Sequence, residues 1–261
     1  MALCERMGLS KASVARTVDR LLREGILQEG SKLERDGPGR PARRLRVRPD
    51  LGYVIGADLE GLAVRVCVID CAGRTVACGR RDVDSDWSPD RIVSEWRDVI
   101  ESSLADSGVD RSRVIGIGLG LPGVVSPEGP RVRAYLPPGR WVEQNVSAAV
   151  SGLGLPVTAA NNVVCVTEYE RRFGCATGLS SGVSVLVRYG IGAALFANGH
   201  FVIGDGAVAG ELGHMCIDSS GPVCTCGQHG CLDAYASGRV WPASANGGGS
   251  QAERDVRTRA E

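Results

Sequence analysis

No run of about 18 apolar residues occurs anywhere in the 261 residues, which excludes a membrane-spanning helix. The opening Met-Ala-Leu-Cys-Glu-Arg lacks the apolar core of a secretory signal, so the expected compartment is the cytoplasm. Net charge is absent as well, with 30 basic side chains against 30 acidic ones. The balance is uneven, however: residues 1–50 hold 12 basic and 7 acidic side chains, and the remainder holds 18 and 23. That asymmetry points to an anionic partner for the N-terminus. In a reducing compartment the ten cysteines are read as thiols or metal ligands rather than a disulfide framework. Cys4, Cys67, Cys71, Cys78, Cys165, Cys175 and Cys216 are read as packing residues, in keeping with how often free cysteine is buried.

The remaining three cysteines stand in one short, loop-rich stretch as His214-x9-Cys224-x-Cys226-x4-Cys231. Three thiolates and an imidazole fill the four positions of a tetrahedral zinc ion and leave none open, so the expectation is a structural Zn2+ site. The alternative is three buried thiols and one hydrogen-bonded histidine. Glu211 and Asp233 flank the stretch, and either could reach a small polar ligand or remain a solvated loop carboxylate. His200 and His229 have no evident partner and are read as surface residues.

Near the N-terminus, Gly8 precedes Ser10, and apolar residues then recur at 14, 18, 21 and 22. Ser10 suits an N-cap, Gly8 a tight turn between two short helices, and Gly25 a stop. This pattern looks like a helix-turn-helix. Lys11, Ser13, Arg16, Thr17 and Arg20 are of the types that reach phosphates and base edges from such a helix in the major groove. Gly37 to Arg44 interleaves turn residues with arginines, as the wing of a winged helix does, and Arg40, Arg43 and Arg44 are the candidate wing contacts. The alternative is a basic, solvated linker after a small helical cap.

From Tyr53 the pattern changes to an antiparallel three-stranded meander ending near Val83, followed by a helix from Pro89 to Ser107. A buried strand at 114–120 follows, then a strand near 155–160, a helix from Asn162 to Phe173, and strands at 182–187 and 193–197. The chain is therefore α/β, with two strand-rich blocks joined by helices.

Five groups of residues carry a family resemblance, in order along residues 3 to 238. They are Gly8-Leu9-Ser10 with its helix, Gly39-Arg40-Pro41, Leu121-Pro122-Gly123, Gly210-Glu211-Leu212-Gly213-His214, and the run from Cys224 to Asp233. Together they resemble the ROK family of repressors and sugar kinases. The resemblance implies an N-terminal winged helix-turn-helix (1–50, its first helix missing) and an actin-like (ribonuclease-H-like) duplicated α/β domain (51–238) with the second lobe incomplete. It implies a sugar or sugar-phosphate pocket between the lobes, carried onto Asn161, Asn162, Glu211, His214 and Asp233, with Asp233 standing where a Glu is usual. It also implies operator DNA as a partner and, by analogy, a homodimer or higher assembly. Family members continue past residue 238 with further helices, so the chain reads as truncated at both ends. Gly/Ser-rich residues 239–261 read as a disordered tail, and apolar surface on the second strand block should be left exposed.

Kinase chemistry in such a family needs a carboxylate base, and Asn162 stands at that position; an amide accepts no proton at neutral pH. The two phosphate loops read Asp58-Leu59-Glu60-Gly61-Leu62 and Arg188-Tyr189-Gly190-Ile191-Gly192, without the family's threonines. No catalytic residue is assigned. The expected function is a DNA-binding regulator of sugar metabolism; the alternatives are an ATP-dependent hexose kinase and a fragment without function.

Overall fold

A computed structural model describes residues 2–32, 43–84, 87–125, 131–136, 140–145, 150 and 152–240. Arg40, the tip of the expected wing and the tail beyond 240 lie outside the described residues.

Two helices open the chain, α1 (Ala2–Met7) and α2 (Lys11–Arg23). Gly8 turns between them at φ +62°. The Ser10 hydroxyl caps α2 by accepting from the Ser13 N–H. At the far end Ile26 N–H donates to Leu21 O and Gly25 N–H to Leu22 O, with Gly25 left-handed, which is a Schellman stop. An antiparallel hairpin follows, β1 (Leu27–Lys32) with β2 (Arg43–Val47). No residue of α2 is fully buried, and Leu3, Met7 and Leu9 are exposed. The face that should form a core is only half covered.

The first lobe is a five-stranded mixed sheet of order β10-β6-β3-β4-β5. The meander runs as read from the sequence: β3 (Tyr53–Glu60), β4 (Ala63–Asp70) and β5 (Thr75–Asp82), all antiparallel. β6 (Val114–Leu121) joins β3 in parallel, and β10 (Val157–Asn161) joins β6 in parallel. Register puts Ile55 opposite Val68, Ala57 opposite Val66 and Leu59 opposite Val64, with Ile117 and Leu119 beside them. Because side chains alternate along a strand, all of these share one face.

Helix α3 (Pro89–Ser107) lies on that face and buries Ile92, Trp96, Val99 and Ile100 against it. Each fully buried large apolar side chain contributes roughly 1.5–3 kcal/mol, so this face holds the first lobe. Ser88 caps the start of α3, and left-handed Gly108 ends it.

One short strand and a hairpin form a separate three-stranded sheet: β7 (Val124–Val125), β8 (Arg131–Leu136) and β9 (Arg140–Asn145). The sequence reading had no strands there. Helix α4 (Asn162–Phe173) then packs between the large sheet and the second strand block. That block is β11 (Gly182–Val187), β12 (Ile191–Ala197) and β13 (His200–Phe201), antiparallel throughout. Val183, Val185 and Val187 are exposed on β11, so apolar side chains do lie at the surface of this block. Among the described residues no helix is long and apolar enough to cross a membrane.

Cysteine usage departs from the expectation of packing thiols. Cys67 and Cys78 face each other across β4 and β5, with Cα atoms 4.2 Å apart, and their sulfurs are bonded. Strand register, which the sequence does not reveal, brings them together. Cys165, Cys175 and Cys216 are exposed rather than packed, while Cys4 and Cys71 are half-buried.

Candidate metal centre and ligand cleft

The stretch from Gly213 to Cys231 folds as a small irregular knuckle tied by two isolated strand-like bridges, Cys216 to Cys231 and Val223 to His229. Between the cysteines the chain reverses through Cys224 N–H to Gln228 O and Gly227 N–H to Cys224 O. Gly230 must be glycine: it is left-handed, and a Cβ there would lie 1.5 Å from the Asp218 carbonyl oxygen. The Tyr235 hydroxyl donates to Asp218 and braces the same turn. His229 is an exposed residue, as read from the sequence, but it has a partner, its Nδ1 lying 3.2 Å from Gly221 O.

This scaffold converges His214, Cys224, Cys226 and Cys231, whose donor atoms all lie within 4.8 Å of one another. Cys226 Sγ is 3.7 Å from Cys231 Sγ, and Cys224 Sγ is 3.6 Å from His214 Nδ1. A tetrahedron with Zn–S about 2.3 Å and Zn–N about 2.0–2.1 Å has edges of about 3.8 Å (S to S) and about 3.6 Å (S to N). These two spacings match the tetrahedral edges, and the whole donor set, within 4.8 Å, is close enough to contract around a zinc ion.

Their electrostatics agree. Burial raises the cost of ionising Cys224, but the Cys226 N–H and thiol, His214 and Thr225 hydrogen-bond its sulfur and bring it down to about 6. Cys231 is pushed up to about 12 by burial and by its neighbours Cys226 and Cys224. Thiolates this close cannot all ionise together unless a cation sits among them.

Beside the knuckle, a cleft of about 120 Å³ opens between the lobes. Asn161, Asn162, Glu211, His214 and Asp233 all line it, so the five residues read as sugar contacts do come together. Their freedom to bind differs. Asn161 is the N-cap of α4: its Oδ1 accepts from Val163 and Val164 N–H, and its Nδ2 donates to Gly123 O. It ties the Leu121-Pro122-Gly123 turn to the helix. Asn162 begins α4, and among the described residues no protein hydrogen bond engages its amide.

Burial raises the Glu211 carboxyl above its ordinary range, with His214 pulling the other way, and Glu211 Oε2 lies 3.9 Å from His214 Nε2. His214 thus turns one nitrogen to the thiolates and the other toward a carboxylate, the arrangement that orients a ligating imidazole.

Asp233 is 3% exposed, with Oδ1 accepting from Ile191 N–H at 2.8 Å and Oδ2 ion-paired with Arg239. Arg239, counted with the tail in the sequence reading, is instead a cleft residue. It donates to Thr225 Oγ1 at 2.9 Å, and its guanidinium lies 5.5 Å from the Tyr189 ring centre. Nothing in a single sequence pairs residue 239 with 233; only the helical turn α5 (Asp233–Ala236) brings them together.

On α2, Ser13, Arg16, Thr17 and Arg20 follow i, i+3, i+4, i+7 spacing and share a face. Lys11, Arg16 and Arg20 are exposed, Arg20 lying 3.8 Å from Glu24. The two hydroxyls are used locally, Ser13 against Ser10 and Thr17 donating to Ser13 O. Arg43 pairs with Glu29 across the hairpin, and Arg44 is exposed.

Residues 54–259 match the ROK family, well over half the chain, and the chain belongs to that family. It is 28% identical to the xylose repressor of Bacillus subtilis over 236 residues, covering 90% of this chain and 60% of the repressor. The DNA-binding transcriptional repressor Mlc of Escherichia coli is 25% identical over 88% of this chain. The glucokinase of Streptomyces coelicolor is 28% identical but covers 73%. Among solved structures, a ROK family transcriptional regulator homologous to E. coli Mlc covers 98% of this chain (26% identity, TM-score 0.66). A ROK glucokinase from Streptomyces griseus in complex with glucose and AMPPNP covers 72% (27% identity, TM-score 0.61). The mixed α/β fold is thus shared by the family's kinases and its regulators. The chain spans about 60% of the length of the curated repressors it matches.

Proposed function

We propose that this chain acts as a sugar-responsive transcriptional repressor whose N-terminal unit, residues 1–50, is a winged helix-turn-helix on operator DNA. In residues 51–238, a zinc-shaped cleft binds a sugar or sugar phosphate. The observation that carries this reading is coverage. The repressor relatives match about nine tenths of the chain, whereas the glucokinases match about seven tenths, a difference about the size of the N-terminal unit. Lys11, Ser13, Arg16, Thr17 and Arg20 on α2, with Arg43 and Arg44 of β2 and Arg40 before it in sequence, are the proposed phosphate and base contacts.

Zinc, when bound by His214, Cys224, Cys226 and Cys231, supplies a fixed scaffold and no open coordination position. The knuckle then presents Glu211 and His214 to the cleft. Asn162 donates to and accepts from a sugar hydroxyl, and Glu211 accepts from another. Asp233 and Asn161 hold the walls. Asn162, an amide, stands where the family resemblance puts the carboxylate base, which favours binding without phosphoryl transfer. Two copies of the chain, placed by a two-fold operator, would couple lobe angle to the spacing of their α2 helices.

The ligand must bind the DNA-competent and DNA-incompetent arrangements unequally. Fluorescence anisotropy with the duplex upstream of the gene, titrated with and without D-xylose, D-glucose and their phosphates, tests this. At least one sugar should shift operator affinity, within the roughly 5–150-fold range usual for such coupling. Unchanged affinity across the panel contradicts sensing. Sugar-dependent ADP formation by the unaltered chain would instead favour the kinase alternative.

A further inference from the structure

Two hairpin tips meet at the mouth of the cleft, one from each lobe. In the first lobe Glu60 pairs with Ala63, and Gly61 at the turn takes φ +58°, a left-handed conformation that side chains resist. In the second lobe Val187 pairs with Ile191, and the intervening loop carries Tyr189. Tyr189 packs on the Gly61 turn so closely that a Cβ added at Gly61 would lie 3.0 Å from both Tyr189 Cβ and Cγ. The ring is also met by the Arg239 guanidinium, which Asp233 and Thr225 fix in place. Both Gly61 and Tyr189 line the cleft. A wider cavity of about 440 Å³, bordered by Asp58, Gly120 and Arg188 and sharing Asn162 with the cleft, lies next to it.

We infer that Tyr189 is a specificity-determining residue: its ring fills the gap between the two tips and denies the interlobe site to any ligand carrying a polyphosphate, a nucleotide above all. This rests on the sugar-cleft reading above. A polyphosphate held between two loops needs their backbone N–H groups to face an open space. Here the Tyr189 side chain, packed on the Gly61 turn, occupies that space and keeps the two backbones from closing on a phosphate. The cleft therefore accepts a monosaccharide or its monophosphate and stops at Tyr189.

The test is a titration of the full chain with Mg2+ and the fluorescent nucleotide mant-ATP, alongside a monosaccharide titration by calorimetry. The unaltered chain and Tyr189→Phe should show no saturable nucleotide signal, because both keep the ring. Tyr189→Ser should gain saturable binding while retaining its zinc, which reports that the knuckle is intact. Saturable binding to the unaltered chain overturns the inference, and so does a flat Tyr189→Ser titration on zinc-loaded protein. Should Tyr189→Ser lose its zinc, Tyr189→Leu replaces it, with the same two outcomes. Absence of monosaccharide binding, with the nucleotide results as stated, sinks the sugar-cleft reading and leaves the role of Tyr189 supported.

Discussion

The first lobe and the metal knuckle are held by different forces. In the first lobe the sheet and α3 bury Ile55, Leu59, Val64, Ile92, Trp96 and Ile117 almost completely. In the knuckle the apolar side chains point outward: Met215 is 58% exposed, Ile217 56% and Val223 66%. What is buried there is Cys224 and Cys231, two sulfurs of the donor cluster. A segment that buries candidate ligands rather than hydrocarbon would take its stability from the proposed ion, so one chain would combine a lobe that folds on apolar area with a cleft wall that depends on metal.

Removing the metal should separate the two most sharply. Structural zinc sites supply about 10–16 kcal/mol of apparent binding free energy, and chelation or Cys231→Ser should forfeit most of it in residues 211–239. Hydrogen exchange should show protection lost there and kept across residues 53–121; equal loss in both regions would erase the contrast. The converse variant is Trp96→Ala, which removes the largest fully buried side chain of the first lobe. It should cost about 3–5 kcal/mol in denaturant unfolding of that lobe while zinc stoichiometry is unchanged.

Arg239→Met sharpens the comparison at the cleft wall. It leaves the buried Asp233 carboxylate without its cation, for an expected cost of about 3–5 kcal/mol. Double replacement with Asp233→Asn should recover part of the loss, and thermal unfolding of zinc-loaded protein reads both.

The smallest effect lies at the junction of the N-terminal hairpin and the first sheet. A hydrogen bond from Arg48 holds the Asp50 carboxyl below its ordinary 3.8, and Arg113 adds to the pull. A carboxylate lowered in the folded state contributes stability that is full above about 3.8 and lost as pH falls through its folded value. Asp50→Asn should therefore flatten the acid limb of stability slightly and leave neutral pH almost unchanged. Acid titrations monitored by circular dichroism check the sign.

Much of this arrangement is legible in the residues themselves. Alternation along 53–82 defines the meander, Asn161 marks the start of α4, and the spacing of one histidine and three cysteines defines the donor set before any coordinates. These are local patterns, set by strand period, capping chemistry and loop length. The features that escape the sequence are pairings between distant or unpatterned positions. Tyr189 meets Gly61 across the lobes, Arg239 closes on Asp233 through one helical turn, and Cys67 faces Cys78 only because of register. The β7–β9 sheet also escaped, because its strands are short and interrupted by turn residues such as Pro137-Pro138-Gly139. The two asparagines illustrate both cases: the cap at Asn161 is a local rule, whereas only the packed structure shows that both line the cleft and that Asn161 is held by its cap.

Zinc K-edge X-ray absorption on freshly purified chain tests the central claim most directly. The account predicts one zinc per chain with three sulfur neighbours at about 2.3 Å and one nitrogen at about 2.0–2.1 Å. Metal-free protein that keeps residues 211–239 protected from exchange, or a zinc ion bound by oxygen alone, would contradict it.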